Sequence, residues 1–118
     1  MPKKILIVDD EIGICKLLKI YLEKESFIAD INGNGRTGLI KALNQHYDLI
    51  ILDFLLPGIN GYQVLTKLRE IKSTPVIIVS SQDDENVMTF FMKSGANEFV
   101  VKPFDCKSMM DKVKKLIS

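Results

Sequence analysis

Short apolar runs alternate along the chain with segments of helical period. The runs are "KILIV" (4–8), "FIADI" (27–31), "LIIL" (49–52), "VIIVS" (76–80) and "FVV" (99–101). Three are almost wholly aliphatic, the composition of strands covered on both faces in a parallel sheet. Between them Ile14, Leu17, Leu18, Tyr21 and Leu22 recur as one face of a first helix. Leu39, Ile40 and Leu43 mark a weaker second helix around 37–45, and Val64, Leu65 and Leu68 a third. Met109 or Met110 with Val113, Leu116 and Ile117 marks the last. The fourth segment, about 85–94, carries Val87, Met88, Phe90, Phe91 and Met92, more apolar surface than one face needs. A wide core face is the first expectation for it. A partner surface is the alternative, because Met and Phe suit adaptable interfaces.

Five strands alternating with five helices predict an α/β domain of βαβ units, with right-handed crossovers and helices on both faces of the sheet. Ligand sites in such open sheets gather at the carboxyl ends of the strands. The 118 residues fit one domain spanning 1–118, and no linker or output domain is visible. Hydrophobic residues make up 47% and the net charge is +1, so nothing points to direct nucleic-acid binding or to an anionic membrane. No apolar run approaches a bilayer span, and "MPKKILIVDD" has too short an apolar part for a signal peptide. Cys15 and Cys106 lack CxxC or Cys/His spacing and read as reduced thiols. A cytoplasmic location follows as the expectation.

The strand ends carry the chemistry. Asp9, Asp10 and Glu11 follow the first strand, Asp53 ends the third, Ser80 and Ser81 close the fourth, and Lys102 and Pro103 follow the fifth. Singly, each has an ordinary use: an aspartate can cap a helix, a serine can start a turn, and a lysine can sit in solvent. Together they make a coherent set. Clustered carboxylates suit a hard divalent cation such as Mg²⁺. A phosphoryl group could then bridge that cation and the lysine, with a serine hydroxyl supplying a further hydrogen bond. Asp53 is the candidate nucleophile, since a carboxylate can form an aspartyl phosphate.

"VDDE", "LDFLLPGINGYQVL", "IVSSQ" and "GANEFVVKPF" resemble, in order and spacing, the receiver domain of bacterial two-component response regulators (CheY-like). The resemblance covers essentially the whole chain. It implies a single doubly wound (βα)5 flavodoxin-like domain, with a five-stranded parallel sheet of order 2-1-3-4-5. It implies that Asp53 accepts a phosphoryl group from a sensor histidine kinase or a histidine phosphotransfer protein. Asp10, Asp53 and the backbone carbonyl of Leu55 would bind Mg²⁺, for which Mn²⁺ could substitute, and Asp9 would act through water. Lys102, Ser80 and Ser81 would contact the phosphate. Ser80 and Phe99 would form the switch, Phe99 turning inward to change the helix 4–strand 5–helix 5 face. Leu55 and Gln82 would tune hydrolysis, and Lys102–Pro103 matches a position that is often a cis peptide. Such a protein is a signalling switch rather than a turnover enzyme. Its output would be a downstream protein or a missing effector domain, and a phosphorylation-dependent dimer through the fourth helix is an expectation. The face around that helix keeps only part of the charged pairing typical of regulators with DNA-binding outputs, which leans towards a stand-alone receiver.

Three other readings compete with this one. An aspartate-nucleophile phosphatase of the haloacid-dehalogenase type would want a second acid that "DFLLP" lacks. A flavin or nucleotide module would want glycines or hydroxyls where "VDDEIGI" places carboxylates. A non-phosphorylated pseudo-receiver acting as a docking module is the remaining alternative. His46, the only histidine, reads as a surface residue and not as a phosphodonor.

Overall fold

The computed structural model describes residues 2–117. Five strands and five helices alternate: β1 (Lys4–Val8), α1 (Ile12–Lys24), β2 (Ile28–Asn32), α2 (Gly35–Asn44), β3 (Leu49–Asp53), α3 (Gly61–Arg69), β4 (Val76–Ser80), α4 (Glu85–Lys93), β5 (Glu98–Val101) and α5 (Cys106–Ile117). The strands pair in parallel in the order β2-β1-β3-β4-β5. This is the flavodoxin-like arrangement, and β1 and β3 lie side by side at its centre.

Alternation along each strand splits the core in two. Leu6, Val8, Ile50, Leu52, Val76 and Ile78 face the side covered by α2, α3 and α4. Ile5, Ile7, Leu49, Ile51, Ile77 and Val79 face the side covered by α1 and α5. Every residue of β3 and β4 is buried, which explains why those strands are aliphatic up to their last residues, Asp53 and Ser80. Edge strand β2 is only partly covered and reads as polar and apolar mixed.

Local sequence starts three of the helices. Asn34 accepts from the amides of Arg36 and Thr37 at the head of α2, and Asp84 accepts from Asn86 at α4. Asn60 and Gln63 form a reciprocal capping box on α3.

Three expectations about helix faces are corrected. In α1 the buried stripe is Cys15, Leu18 and Leu22, while Leu17 and Tyr21 remain 47% and 37% exposed. This helix packs mainly on the sheet and α5, so the core takes a narrow stripe and leaves its flanks more exposed. In α2, Ile40 is exposed and the buried face is mainly Gly35, Gly38, Leu39 and Ala42. A side chain at Gly38 would come within 2.8 Å of Val8, so close packing on β1 demands small residues that carry little hydrophobic signal. The wide core face expected of α4 is overturned. Only Phe91 is fully buried there, Val87 is partly covered, and Met88, Phe90 and Met92 are 41%, 48% and 41% exposed.

Among the described residues, no helix is long and apolar enough to cross a membrane.

Candidate functional site

The carboxyl ends of the three central strands and β5 deliver the predicted residues to one rim. Asp9 follows β1, Asp53 is the last residue of β3, Ser80 is the last of β4, and Lys102 comes directly after β5. Carboxylate oxygens of Asp9, Asp10 and Asp53 all lie within 4.8 Å of one another. Asp9 and Asp53 are buried, and Asp10 is exposed at the mouth. The Lys102 ammonium sits 2.7 Å from Glu11 Oε1, 3.0 Å from Asp9 Oδ2 and 3.4 Å from Asp53 Oδ2.

A cavity of about 290 Å³ opens over this cluster, lined by Asp10, Glu11, Asp53, Phe54, Leu55, Ser80, Ser81 and Lys102. Asp9 lies beneath the lining rather than in it.

Backbone geometry fixes the cluster. The Asp9 amide donates to Asn32 O at 3.0 Å, which carries the β1–β2 pairing one residue past the strand. Asp9 Oδ1 accepts from the Glu11 amide at 2.9 Å, turning the chain into α1. Neither Asp9 nor Asp10 caps α1; its N-cap is Glu11, whose side chain makes no capping bond. The Phe54 amide donates to Val79 O and the Gly61 amide to Phe54 O, holding the loop that follows Asp53. A Cβ at Gly61 would run into the Asp53 carbonyl, so α3 can begin this close to the phosphoacceptor candidate only with glycine. The Lys102–Pro103 peptide is cis.

Electrostatics separates these groups. Burial pushes the Asp53 carboxyl up to about 6, with Asp9 adding to the effect and Lys102 opposing it. Burial disfavours the Lys102 charge, yet its hydrogen bonds to Glu11 and Asp9 outweigh that and hold it above the usual lysine range. Cys15, whose thiol donates to Asp9 O at 3.2 Å, is pushed up to about 12 by burial and then by Asp9, so it is an inert core thiol. An all-oxygen set of carboxylates, one of them open to solvent, fits a hard divalent cation.

The remaining expected residues fall as follows. Ser80 Oγ is buried and accepts from the Gln82 amide at 3.0 Å, whereas Ser81 and Gln82 are exposed. Leu55 is 60% exposed beside the cavity. Phe99 already points inward, 8% exposed, with its ring 6.0 Å from that of Phe91, which in turn meets Phe54 at 5.0 Å edge-on. His46 is exposed beyond the end of α2, 3.1 Å from Asp48 and far from this rim in the chain's layout.

Two partners escaped the sequence reading. Glu11 entered it only as one more acid, though it makes the shortest contact to Lys102; nothing in a linear pattern links positions 91 apart. The Phe54–Phe91–Phe99 ring series joins the loop after Asp53 to Phe99 of β5, and only the spacing of Phe54 next to Asp53 hinted at it.

Known proteins share this fold. A model of the response regulator receiver domain family matches residues 5–114. Response regulator ArlR of Staphylococcus saprophyticus is 37% identical over 114 residues, covering 97% of this chain and 52% of the relative. ArlR of Staphylococcus aureus is 38% identical with the same coverage. The chain thus spans about half the length of the curated relatives it matches. Among solved structures, the receiver domain of Francisella response regulator 1452 superposes with a TM-score of 0.93 at 29% identity, covering 97% of this chain and 95% of that one. TrrA of Thermotoga maritima, solved in complex with Mg(2+)-BeF, gives a TM-score of 0.86 at 37% identity, covering 98% and 99%. With the match running nearly end to end and the sheet order in agreement, this chain belongs to the response regulator receiver domain family of two-component systems.

Proposed function

We propose that this domain is a phosphorylation-dependent switch in which Asp53 takes a phosphoryl group from a sensor histidine kinase or a histidine phosphotransfer protein. The observation that carries this reading is the convergence of Asp9, Asp10 and Asp53 within 4.8 Å, with Lys102 3.4 Å from Asp53. An Asp53 carboxylate oxygen forms the new P–O bond. The P–N bond of the donor phosphohistidine breaks, and its electron pair returns to the imidazole.

Asp10, Asp53 and the Leu55 carbonyl are the residues that would hold Mg²⁺ or Mn²⁺, with Asp9 acting through water. Such a cation would neutralise the carboxylates and the oxygens of the transferring group. Lys102 gives its ammonium to the phosphoryl oxygens, and Ser80 exchanges the Gln82 amide for the phosphate. Ser81, small and at the cavity wall, leaves room beside it. Apolar Leu55 orients no water for hydrolysis, and exposed Gln82 is the other residue placed to influence it. The switch then runs from Ser80 through Phe99, whose ring contacts Phe91 of α4. Because Phe99 is already inward, phosphorylation would hold this rotamer rather than create it. Exposed Met88, Phe90 and Met92 of α4 make a surface for a second phosphorylated copy or a downstream protein.

Intact mass after incubation with acetyl phosphate tests the reading. One phosphoryl adduct is expected on this protein with Mg²⁺, and none without Mg²⁺ or on Asp53→Asn. Followed after donor removal, the adduct should disappear faster on Leu55→Asn. Absence of an adduct and of beryllofluoride binding would overturn the proposal.

A further inference from the structure

We propose that Glu11 is a positioning residue that competes with the phosphoryl group for Lys102 and thereby slows phosphoryl acceptance, an inference that rests on Asp53 being the acceptor. Lys102 has three ammonium N–H groups and three carboxylates around it, Glu11 at 2.7 Å, Asp9 at 3.0 Å and Asp53 at 3.4 Å. A phosphoryl oxygen that binds Lys102 must displace one of them. Asp9 and Asp53 side chains are 5% and 8% exposed and cannot leave the rim without stranding a buried charge. The Glu11 side chain is 57% exposed and can swing into water. It also has the shortest contact of the three, so releasing it is the step that frees the lysine.

Glu11 has no other task that would explain its reach. It stands at the N-cap of α1, where a short polar side chain commonly bonds the first turn, yet it makes no such bond. Its carboxylate instead leaves the helix for a lysine 91 residues away. Held there, the carboxylate opposes an incoming phosphoryl group that needs the same lysine. Removing the Glu11 charge leaves Lys102 its two buried partners, so the rim keeps its structure.

The test measures adduct growth with acetyl phosphate and Mg²⁺, and beryllofluoride affinity by calorimetry, on the full chain, Glu11→Gln, Lys102→Met and the double variant. Glu11→Gln should phosphorylate roughly two- to fivefold faster and bind beryllofluoride tighter by a similar factor, the scale of an exposed ion pair. In the Lys102→Met background the same substitution should change neither readout. Equal or slower phosphorylation of Glu11→Gln, or a gain that persists without Lys102, would overturn the competition. If the unaltered protein forms no adduct and binds no beryllofluoride, the Asp53 reading fails and this inference fails with it. A normal adduct on the unaltered protein with an unresponsive Glu11→Gln removes this inference alone.

Discussion

At the amino-terminal end of the sheet, Lys4, Asp30, Tyr47 and Asp48 meet. At the carboxyl-terminal end, Lys102, Asp9 and Asp53 meet. The residue types are similar and the outcomes are opposite. At the first end each acid has its own donor: Tyr47 OH gives to Asp30 at 2.7 Å, and the Lys4 amide gives to Asp48 at 2.8 Å. The Tyr47 hydrogen bond holds Asp30 below its ordinary range, and the Lys4 amide does the same for Asp48. At the second end, buried acids outnumber their one lysine, and Asp53 is pushed up to about 6 by burial and by Asp9. Satisfied acids brace the scaffold. Crowded ones store an electrostatic demand that a cation or phosphoryl chemistry can answer.

The largest effect that would break this contrast concerns Asp53. Its folded carboxyl keeps a proton up to pH about 6, while the unfolded chain releases it near 3.8. The stability tied to that proton is therefore complete below 3.8 and lost as pH rises through 6. In metal-free protein at pH 8, Asp53→Asn should raise unfolding free energy by about 2 kcal/mol, after allowing for the weakened Lys102 contact. Urea titrations at pH 8 and pH 4 check this, with the gain absent at the lower pH. A destabilised Asp53→Asn at pH 8 would mean the rim is not in electrostatic deficit.

The opposite end should respond with the opposite sign. Tyr47→Phe removes the donor to Asp30 and should cost about 1 kcal/mol at neutral pH. Asp30 has a depressed folded value, so its contribution stands above the ordinary carboxylate pKa and fades as acid brings pH down through the folded one. Thermal melts of the pair from pH 7 into progressively stronger acid would register a gap that narrows as Asp30 takes up its proton.

The smallest stability effect belongs to α4, which serves neither rim as scaffold. Met88→Lys, at a position 41% exposed, should shift unfolding by less than about 0.5 kcal/mol. Light scattering should nonetheless find the beryllofluoride-saturated protein as a dimer and the Met88→Lys variant as a monomer. A monomer mass in both would remove the α4 surface from the mechanism.

The sequence alone determined the central strands, because a strand buried on both faces must be apolar except where a polar residue serves a site at its end. β3 and β4 were legible for that reason, as was the placement of Asp9, Asp53, Ser80 and Lys102 at strand ends. It also determined where α3 starts, since Asn60 and Gln63 cap it with bonds three residues long. The helix faces were decided by tertiary structure. Leu17 and Leu18 are chemically alike, and only the position of α5 and the sheet leaves one in water and buries the other. The same holds for α4, where Phe90 and Phe91 differ only in what packs beside them. The pairing of Glu11 with Lys102 and the raised Asp53 pKa also belong to the fold. Charges interact through space with a strength set by distance and burial, and neither quantity exists until the chain has closed.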